Sequence, residues 1–410
     1  MIRILFVHSG KGIGGAPLTL LALIRAIDRS RFSPCVLCLY DSEAAELFRR
    51  HGIETRIAKG IRHFAHTTGV WYPAQYLPMF LYRLLLFPVS IWNSYRFLKA
   101  NRFDVIHLSG SGLLAVAIAA RMRKIPVLLH VLEHLHPGYL GMRRFVLARL
   151  LIRFSDVVVF ICNADAQVFP PSSKIHVIYD SINPDEFDPR RVSGSDRLLS
   201  AVPGGAHVVG MLGGISPIKG TLEFVEAAAQ IVGQSPDTHF LILGVSPEKK
   251  TNSVFTRAVA FLRGWLSGER KYRARVFRVT EQESLKDKVH MIEPILDVPS
   301  IVKILDVLVF PSTTPHYARP LIEAGLMNKP VVASRLGGPD EIVVDGVNGF
   351  LVTPGSPGEL SNRILILLKD PELSARMGSA GRTRAIEKFD ARKNIPQILR
   401  LYDVISKRDK

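Results

Sequence analysis

Short apolar runs alternate along this chain with longer segments in which apolar residues recur every three or four positions. The runs in the first half predict strands, and the periodic segments between them, such as 18–27 and 113–122, predict helices. The predicted strands are 2–7, 35–40, 105–108, 127–131, 157–161 and 175–178. Strands that are apolar throughout and separated by helices are typical of a parallel sheet covered on both faces.

The same pattern restarts after a polar stretch rich in Pro, Gly and Ser that lies between residues 183 and 205. Beyond it we predict strands at 208–212, 240–243, 307–310 and 331–333, and a helix at 221–231. We therefore expect two α/β domains. Their predicted bounds are 1–190 for the first domain, 191–206 for a linker, 207–385 for the second domain and 386–410 for a C-terminal helix.

The bulk composition fits this picture. A chain of 410 residues with 47% hydrophobic and 22% charged residues is long enough for two full cores and is not disordered overall. No apolar run approaches the roughly 18 uncharged residues of a membrane-spanning helix. The N-terminus enters a predicted strand directly, without the features of a secretory signal, so we expect a cytoplasmic protein.

Two of the three cysteines, Cys35 and Cys38, have a C-x-x-C spacing inside a predicted strand. Residues three apart in a strand point to opposite faces of the sheet. We therefore interpret them as buried core residues rather than as a metal or redox site. The metal-binding motif Asp-x-Asp does not occur, and we expect no metal site.

The net charge of +17 predicts attraction to anionic partners, and it is unevenly distributed. Residues 56–102 contain no acidic residue, but aromatic residues alternate there with seven basic ones. The basic residues are Arg56, Lys59, Arg62, Arg83, Arg96, Lys99 and Arg102. The segment fits either an anionic membrane surface or a buried helix pair with a solvated basic edge. We identify no nucleic-acid-binding motif, and we expect no nucleic-acid partner.

Two glycine-rich loops follow predicted strands. Gly10-Lys11-Gly12-Ile13-Gly14-Gly15 satisfies G-x-G-x-x-G, which is typical of a dinucleotide site if an acidic residue ends the second strand. The candidate acid, Asp41, lies farther along than that motif requires. The second loop runs from Gly213-Gly214 to Lys219-Gly220, and a lysine beside a helix N-terminus suits a diphosphate. By itself, that lysine is equally an ordinary surface residue after a turn.

The most informative stretch begins at the end of a predicted strand, with Pro311-Ser312-Thr313-Thr314-Pro315-His316-Tyr317-Ala318-Arg319-Pro320-Leu321-Ile322-Glu323-Ala324-Gly325. A predicted buried strand, Val331-Val332-Ala333, follows it. A carboxylate early in a helix, at the edge of a parallel sheet, is where such sheets bind the sugar part of a nucleotide.

Together these segments resemble the donor site of retaining nucleotide-sugar glycosyltransferases of the GT-B fold (glycosyl transferases group 1, family 4 type). The resemblance implies two Rossmann-like domains whose parallel sheets face a central cleft. It aligns Glu323 with the family's ribose-binding glutamate, and it places Pro315 where the family has its other glutamate. Many members have an arginine at the position of Gly214, so Lys219 is left as the basic residue of this loop.

The resemblance also assigns the site residues. It implies catalytic roles for His130, which ends a predicted strand, for Lys219 and for Glu323. It implies donor contacts at Gly14, Gly15, Gly214, Lys219, His316, Arg319, Leu321, Ile322 and Glu323, with His316 or the backbone as substitutes for the missing glutamate.

The expected activity is transfer of a hexose-type sugar from a nucleotide-diphosphate sugar, with retention of configuration and without cofactor or metal. The expected acceptor is a glycan or a lipid-linked molecule of bacterial surface polysaccharide synthesis, reached at the inner face of the cytoplasmic membrane. Two alternatives remain open from the sequence. One is an NAD-dependent oxidoreductase that uses Gly10–Gly15, and the other is a GT-B protein that has lost catalysis together with the glutamate at Pro315.

Overall fold

The structure, a computed structural model, describes residues 1–64, 77–138, 141–194, 202–245 and 268–407. The chain divides into two compact units, the first formed by Met1–Ile182 together with Ala391–Lys410 and the second by Asn183–Asp390. Each unit is an α/β fold around a parallel sheet, as the apolar runs predict.

The first unit contains a seven-stranded parallel sheet with the order β3-β2-β1-β4-β5-β6-β7. The strands are β1 Ile2–His8, β2 Phe32–Cys38, β3 Glu54–Ile57, β4 Val105–Ser109, β5 Val127–Val131, β6 Val157–Phe160 and β7 Ile175–Val177. The helices are α1 Gly15–Arg25, α2 Glu43–Arg50, α3 Leu77–Leu85, α4 Phe87–Ala100, α5 Leu114–Met122, α6 Met142–Phe154 and α7 Asn163–Ala166. The connections reverse direction between β1 and β4, which is where such sheets bind ligands.

The second unit contains a six-stranded parallel sheet with the order β10-β9-β8-β11-β12-β13. Its strands are β8 His207–Leu212, β9 Thr238–Leu243, β10 Val289–Ile292, β11 Val307–Phe310, β12 Val331–Ser334 and β13 Gly349–Val352. Its helices are α8 Thr221–Val232, α9 Glu269–Thr280, α10 Val298–Ile304, α11 Arg319–Leu326, α12 Gly338–Ile342, α13 Pro357–Lys369 and α14 Pro371–Lys388. Here the switch point lies between β8 and β11.

The last helix, α15 (Ala391–Ser406), belongs to the first unit although it follows the second in sequence. Its apolar side chains complete the core on one face of the first sheet, and Tyr402 is fully buried there. The Tyr402 hydroxyl lies 2.7 Å from Nδ1 of His107 on β4. The first unit therefore needs residues that the sequence places beyond the second.

The prediction that Cys35 and Cys38 point to opposite faces of the first sheet is confirmed. Cys35 packs in the core on one side of the first sheet and Cys38 in the core on the other side. Both thiols are free, and burial raises the pKa of each to about 12. They are inert core residues at neutral pH.

Several predicted bounds differ from the structure. Strand β2 begins at Phe32 rather than at residue 35, because Pro34 is accommodated where β3 does not yet pair with it. The strands β3, β10 and β13, which the sequence pattern did not predict, are three of the four sheet edges, and the fourth edge, β7, was predicted. The second unit begins at Asn183, whereas we predicted the first domain to extend to residue 190. In the part of the chain that the structure describes, no helix has both the length and the hydropathy to cross a bilayer.

Candidate active site

Three glycines with positive φ shape the loop after β8. Gly213 (φ +133°), Gly214 (φ +70°) and Gly220 (φ +70°) all have left-handed backbone. A Cβ on Gly214 would overlap the carbonyl oxygen of Gly244, and one on Gly220 would overlap that of Pro311. The arginine that many family members have at the position of Gly214 does not fit this backbone, so the loop depends on Lys219 for its positive charge.

Lys219 is held between this loop and the loop after β11. A Cβ on Gly213 would lie 3.1 Å from the Lys219 side chain, so the glycine lets the lysine stem pass across it. The Nζ atom lies 2.7 Å from Nε2 of His316 and 5.5 Å from the ring centre of Phe310. Burial lowers the pKa of Lys219 to about 8, because a charged ammonium is poorly solvated there. A buried ammonium at a switch point is suited to an anionic ligand.

The loop after β11 is tied to the glycine loop by main-chain and side-chain hydrogen bonds. The Thr313 amide and the Ser312 hydroxyl both donate to the carbonyl oxygen of Ile218, over 3.1 and 2.6 Å. The Thr313 hydroxyl donates to the carbonyl oxygen of Pro217. These bonds place His316 next to Lys219 although 97 residues separate them in sequence.

Glu323 and Arg319 form an ion pair on the first turns of α11. Arg319 Nε donates to Glu323 Oε1 over 2.9 Å, and the two side chains are only 14% and 8% exposed. The guanidinium fixes the carboxylate in one orientation, one helical turn from the N-terminus, where the helix dipole also favours negative charge. Arg319, a predicted donor contact, is thus paired with Glu323 in the structure.

Leu321 and Ile322, which the resemblance includes among the donor contacts, have buried side chains that pack in the second unit. Only their main chain is available to a ligand. Lys219, His316, Arg319 and Glu323 thus lie in the two joined loops and the helix that follows, within one unit.

The remaining predicted residues, Gly14, Gly15 and His130, belong to the first unit, which we describe by itself. His130 is the next-to-last residue of β5 and is buried, with its ring 5.3 Å from that of His107 in an edge-on arrangement. Burial lowers its pKa to about 4, and the neighbouring Glu133 carboxylate opposes that effect. The His130 imidazole is therefore neutral at physiological pH. It can form hydrogen bonds to a ligand, but it brings no positive charge.

The G-x-G-x-x-G loop lies between β1 and α1, and Gly14 is not one of its three motif glycines. Gly14 is the extended residue before α1 (φ −133°), and a Cβ on it would meet nothing within 4 Å. Asp41, the candidate ribose-binding acid, forms an exposed ion pair with Arg49 at 2.9 Å. The loop does lie at the switch point of the first sheet, between β1 and β4.

Two residues that contribute to the site were not identified from the sequence. Thr221 is fully buried and closes the glycine loop by donating to the Gly214 carbonyl oxygen over 2.8 Å. Ser312 lies 2.9 Å from Nδ1 of His316. A hydroxyl four residues before a histidine in a polar loop is a weak signal, and it becomes informative only once the loop geometry is known. Among the described residues, no cluster of three or more His, Cys, Asp or Glu side chains could hold a metal ion.

Comparison with known proteins agrees with this geometry. Residues 199–384 match the glycosyl transferases group 1 family, and residues 13–186 match glycosyltransferase family 4. An Escherichia coli protein named UDP-Gal:alpha-D-GlcNAc-diphosphoundecaprenol alpha-1,3-galactosyltransferase is 24% identical over 332 residues, which cover 76% of this chain and 78% of that one. A glycosyltransferase of Methanocaldococcus jannaschii is 33% identical over 110 residues, or 27% of this chain and 31% of that protein.

Solved structures show the fold. HepE of Anabaena, in complex with UDP-glucose, superposes with a TM-score of 0.76 at 23% identity and covers 98% of this chain and 100% of its own. A sucrose-phosphate synthase of Thermosynechococcus elongatus superposes with a TM-score of 0.69 at 17% identity, over 98% of this chain and 99% of that one. The chain therefore belongs to the group 1 glycosyltransferases of the GT-B fold.

Proposed function

We propose that this enzyme transfers a hexose-type sugar from a nucleoside-diphosphate sugar to a glycan or lipid-linked acceptor, with retention of the anomeric configuration. The observation that carries the proposal is the cluster at the switch point of the second sheet. There a half-buried Lys219 ammonium and a largely buried Arg319–Glu323 pair lie on two bonded loops and on α11. A charge for phosphate and an oriented carboxylate for ribose hydroxyls are the two groups that a nucleoside diphosphate needs.

In this proposal Glu323 accepts hydrogen bonds from the ribose hydroxyls, and Lys219 neutralises the diphosphate. Gly214 contributes its main chain to the donor site in this proposal. His316 takes part in the donor site in place of a carboxylate at Pro315. His130 in the first unit contributes a neutral imidazole to the transferred sugar.

The proposed reaction breaks the bond between the anomeric carbon and the diphosphate oxygen, and the electron pair stays on the leaving phosphate. The acceptor hydroxyl attacks the anomeric carbon from the same face, and its proton passes to a leaving phosphate oxygen. No protein base, cofactor or metal is needed in this scheme. The protein contributes positioning and stabilisation of the charge that develops on the diphosphate.

For the acceptor we propose a lipid-linked glycan of bacterial surface polysaccharide synthesis. The Escherichia coli relative is named for a diphosphoundecaprenol-linked acceptor. The first unit also has an apolar and basic surface on α3 and α4, where Leu85 and Trp92 are 75% and 58% exposed. Trp71, Tyr72 and Tyr76 of the predicted basic segment lie outside the described residues.

We propose that this surface contacts an anionic membrane from the cytoplasmic side. The helices α3, α4, α5 and α6 contain no acidic residue, and α5 packs between α4 and α6. Exposed Met142 and Phe145 on α6 accompany Arg149, whose guanidinium lies over the Phe145 ring. Apolar side chains for the acyl boundary, with arginines for the headgroups, are the combination that binds anionic interfaces.

The test is a donor screen followed by analysis of the product. Thermal shift with UDP-glucose, UDP-galactose, GDP-mannose and NAD is expected to show stabilisation by a nucleotide sugar and none by NAD. With the stabilising donor and a diphosphoundecaprenol-linked GlcNAc acceptor, NMR is expected to show the donor's anomeric configuration in the product, at a rate unchanged by EDTA. An inverted product overturns retention, and nucleotide binding without hydrolysis or transfer supports a non-catalytic protein.

A further inference from the structure

The Lys219 ammonium belongs to a chain of three groups in the second unit, in which Lys219 and His316 are half-buried and Ser312 is buried. Lys219 Nζ lies 2.7 Å from His316 Nε2, and His316 Nδ1 lies 2.9 Å from the Ser312 hydroxyl and 3.0 Å from the carbonyl oxygen of Thr314. Ser312 is almost fully buried, at 1% exposure. The His316 ring packs on Phe310, with 4.9 Å between the ring centres, so its orientation is fixed from the side as well.

The hydrogen atoms of this chain can be assigned from the chemistry of the groups. A protonated lysine only donates, so His316 Nε2 must accept and carries no proton. The single N–H of a neutral imidazole is then on Nδ1, where the Thr314 carbonyl oxygen, which only accepts, lies within reach. The Ser312 hydroxyl uses its hydrogen for the carbonyl oxygen of Ile218 and offers a lone pair to Nδ1. These contacts agree on one tautomer, because the Ser312 hydroxyl has the carbonyl oxygens of Ile218 and Thr314 as acceptors for its hydrogen and can accept at Nδ1.

We propose that His316 is a positioning residue for Lys219, and that Ser312 and the Thr314 carbonyl hold His316 in the tautomer that allows this. The proposal rests on the proposed function, in which Lys219 neutralises the donor diphosphate. A free lysine has many rotamers, and selecting one on binding costs entropy. A lysine that is already fixed supplies its charge without reorganisation.

An imidazole suits the position beside Lys219 because it is neutral. A carboxylate beside Lys219 would fix it equally well, but it would also cancel the charge that the diphosphate is meant to meet. A neutral imidazole accepts one hydrogen bond and leaves the full positive charge for the ligand. The absence of an acidic side chain at Pro315, next to His316, is consistent with this arrangement.

The test compares substitutions that remove or preserve the acceptor atom. H316L removes it, whereas H316Q retains a side-chain carbonyl oxygen that can accept from Lys219. S312A removes one of the two groups at Nδ1 and leaves the Thr314 carbonyl. Binding of UDP or GDP, whichever the wild type prefers, is measured by calorimetry together with binding of the corresponding nucleoside. The Michaelis constant and turnover number for the nucleotide sugar follow.

We expect H316L to weaken diphosphate binding about ten-fold while nucleoside binding is unchanged, since only the phosphate end depends on Lys219. H316Q is expected to recover most of that loss, and S312A to show a loss of about three-fold. The turnover number is expected to fall more than the Michaelis constant rises, because a displaced lysine stabilises the leaving phosphate poorly.

The outcomes that overturn the inference are distinct from failure of the proposed function. If the wild type binds neither nucleoside diphosphate, the proposed function is wrong. If it binds one and H316L binds it equally well, His316 does not position Lys219. An equal loss of nucleoside and diphosphate binding in H316L and H316Q also overturns the inference, because it indicates general disruption. If H316L does not fold, the same measurements are made on S312A, H316Q and a K219M control. Equal diphosphate affinity in these three variants then overturns the inference that His316 positions Lys219.

Discussion

At the scale of single residues, the backbone of the glycine loop restricts which side chains can stand at Gly214. Gly214 has a φ of +70° and has no room for a Cβ beside the Gly244 carbonyl. We expect G214A to lower the free energy of unfolding by about 1–2 kcal/mol for the left-handed backbone alone, and by more because of the overlap. The matched control is G355A, since Gly355 has a similar φ of +74° and nothing within 4 Å of a Cβ.

Thermal unfolding of the two variants separates the two causes. G355A reports the cost of the backbone conformation, and the excess in G214A reports the contact with Gly244. We further expect G214R to destabilise the protein without raising transfer activity, because a loop that excludes a Cβ cannot aim an arginine. Equal melting temperatures for G214A and G355A would contradict the packing argument.

The lowered pKa of Lys219, in the same loop, leads us to expect that the stability of the protein depends on pH. Burial lowers the pKa of Lys219 to about 8 from 10.5, so the folded protein binds that proton less tightly than the unfolded chain. The cost of burying the charge is fully present below pH 8 and disappears as the pH rises toward 10.5. We therefore expect K219M to have a higher melting temperature than the wild type at pH 7, with a difference that shrinks by pH 10, and to lose diphosphate binding.

Calorimetric melting at both pH values, with nucleotide binding at pH 7, checks this prediction. K369M is a suitable control, because Lys369 lies on the exposed side of α13. A wild type that is more stable than K219M at pH 7 would show that the contact with His316 outweighs the burial of the charge.

At the scale of elements, the C-terminal helix is the part of the first unit whose role the sequence shows least. Tyr402 of α15 is fully buried, and its hydroxyl lies 2.7 Å from the equally buried His107. Burial holds the pKa of His107 well below its usual value, so the pair is neutral. We expect Y402F to lower the free energy of unfolding by about 1–3 kcal/mol, because it leaves a buried ring nitrogen without this partner.

A double-mutant cycle with H107L tests that reason. Replacing both partners by apolar groups is expected to cost less than the sum of the single substitutions, since no polar atom is left without a partner. Y402A is expected to cost about 3–5 kcal/mol, because it leaves a cavity as well. Additive effects of Y402F and H107L in chemical denaturation would show that the two groups do not interact.

The same scale shows what the sequence could predict. The central strands of both sheets are continuous apolar runs because helices cover both faces, and they were predicted within a few residues. The edge strand β3 lacks that cover: it reads Glu54-Thr55-Arg56-Ile57 and is half-exposed, so no apolar run marks it. The residues of the candidate site also fall into those that the sequence could predict and those that it could not. Glu323 and Lys219 follow from local motifs, whereas the Lys219–His316 contact depends on two loops 97 residues apart and has no local signal.

At the scale of the whole molecule, the charge of +17 has a structural counterpart in the acid-free helices α3 to α6. We expect the protein to float with vesicles that contain phosphatidylglycerol and not with vesicles of pure phosphatidylcholine. We expect 0.5 M salt to release it, because the Debye length falls there to about 4 Å. Apolar insertion adds to this attraction, so L85S/W92S is expected to reduce flotation several-fold at low salt. The matched control is L296S, which removes an exposed leucine (62%) from the second unit.

Equal flotation of L85S/W92S and L296S would show that α3 and α4 do not form the membrane contact. No flotation of the wild type would leave the acid-free layer as a solvated surface and remove the support for a membrane-bound acceptor.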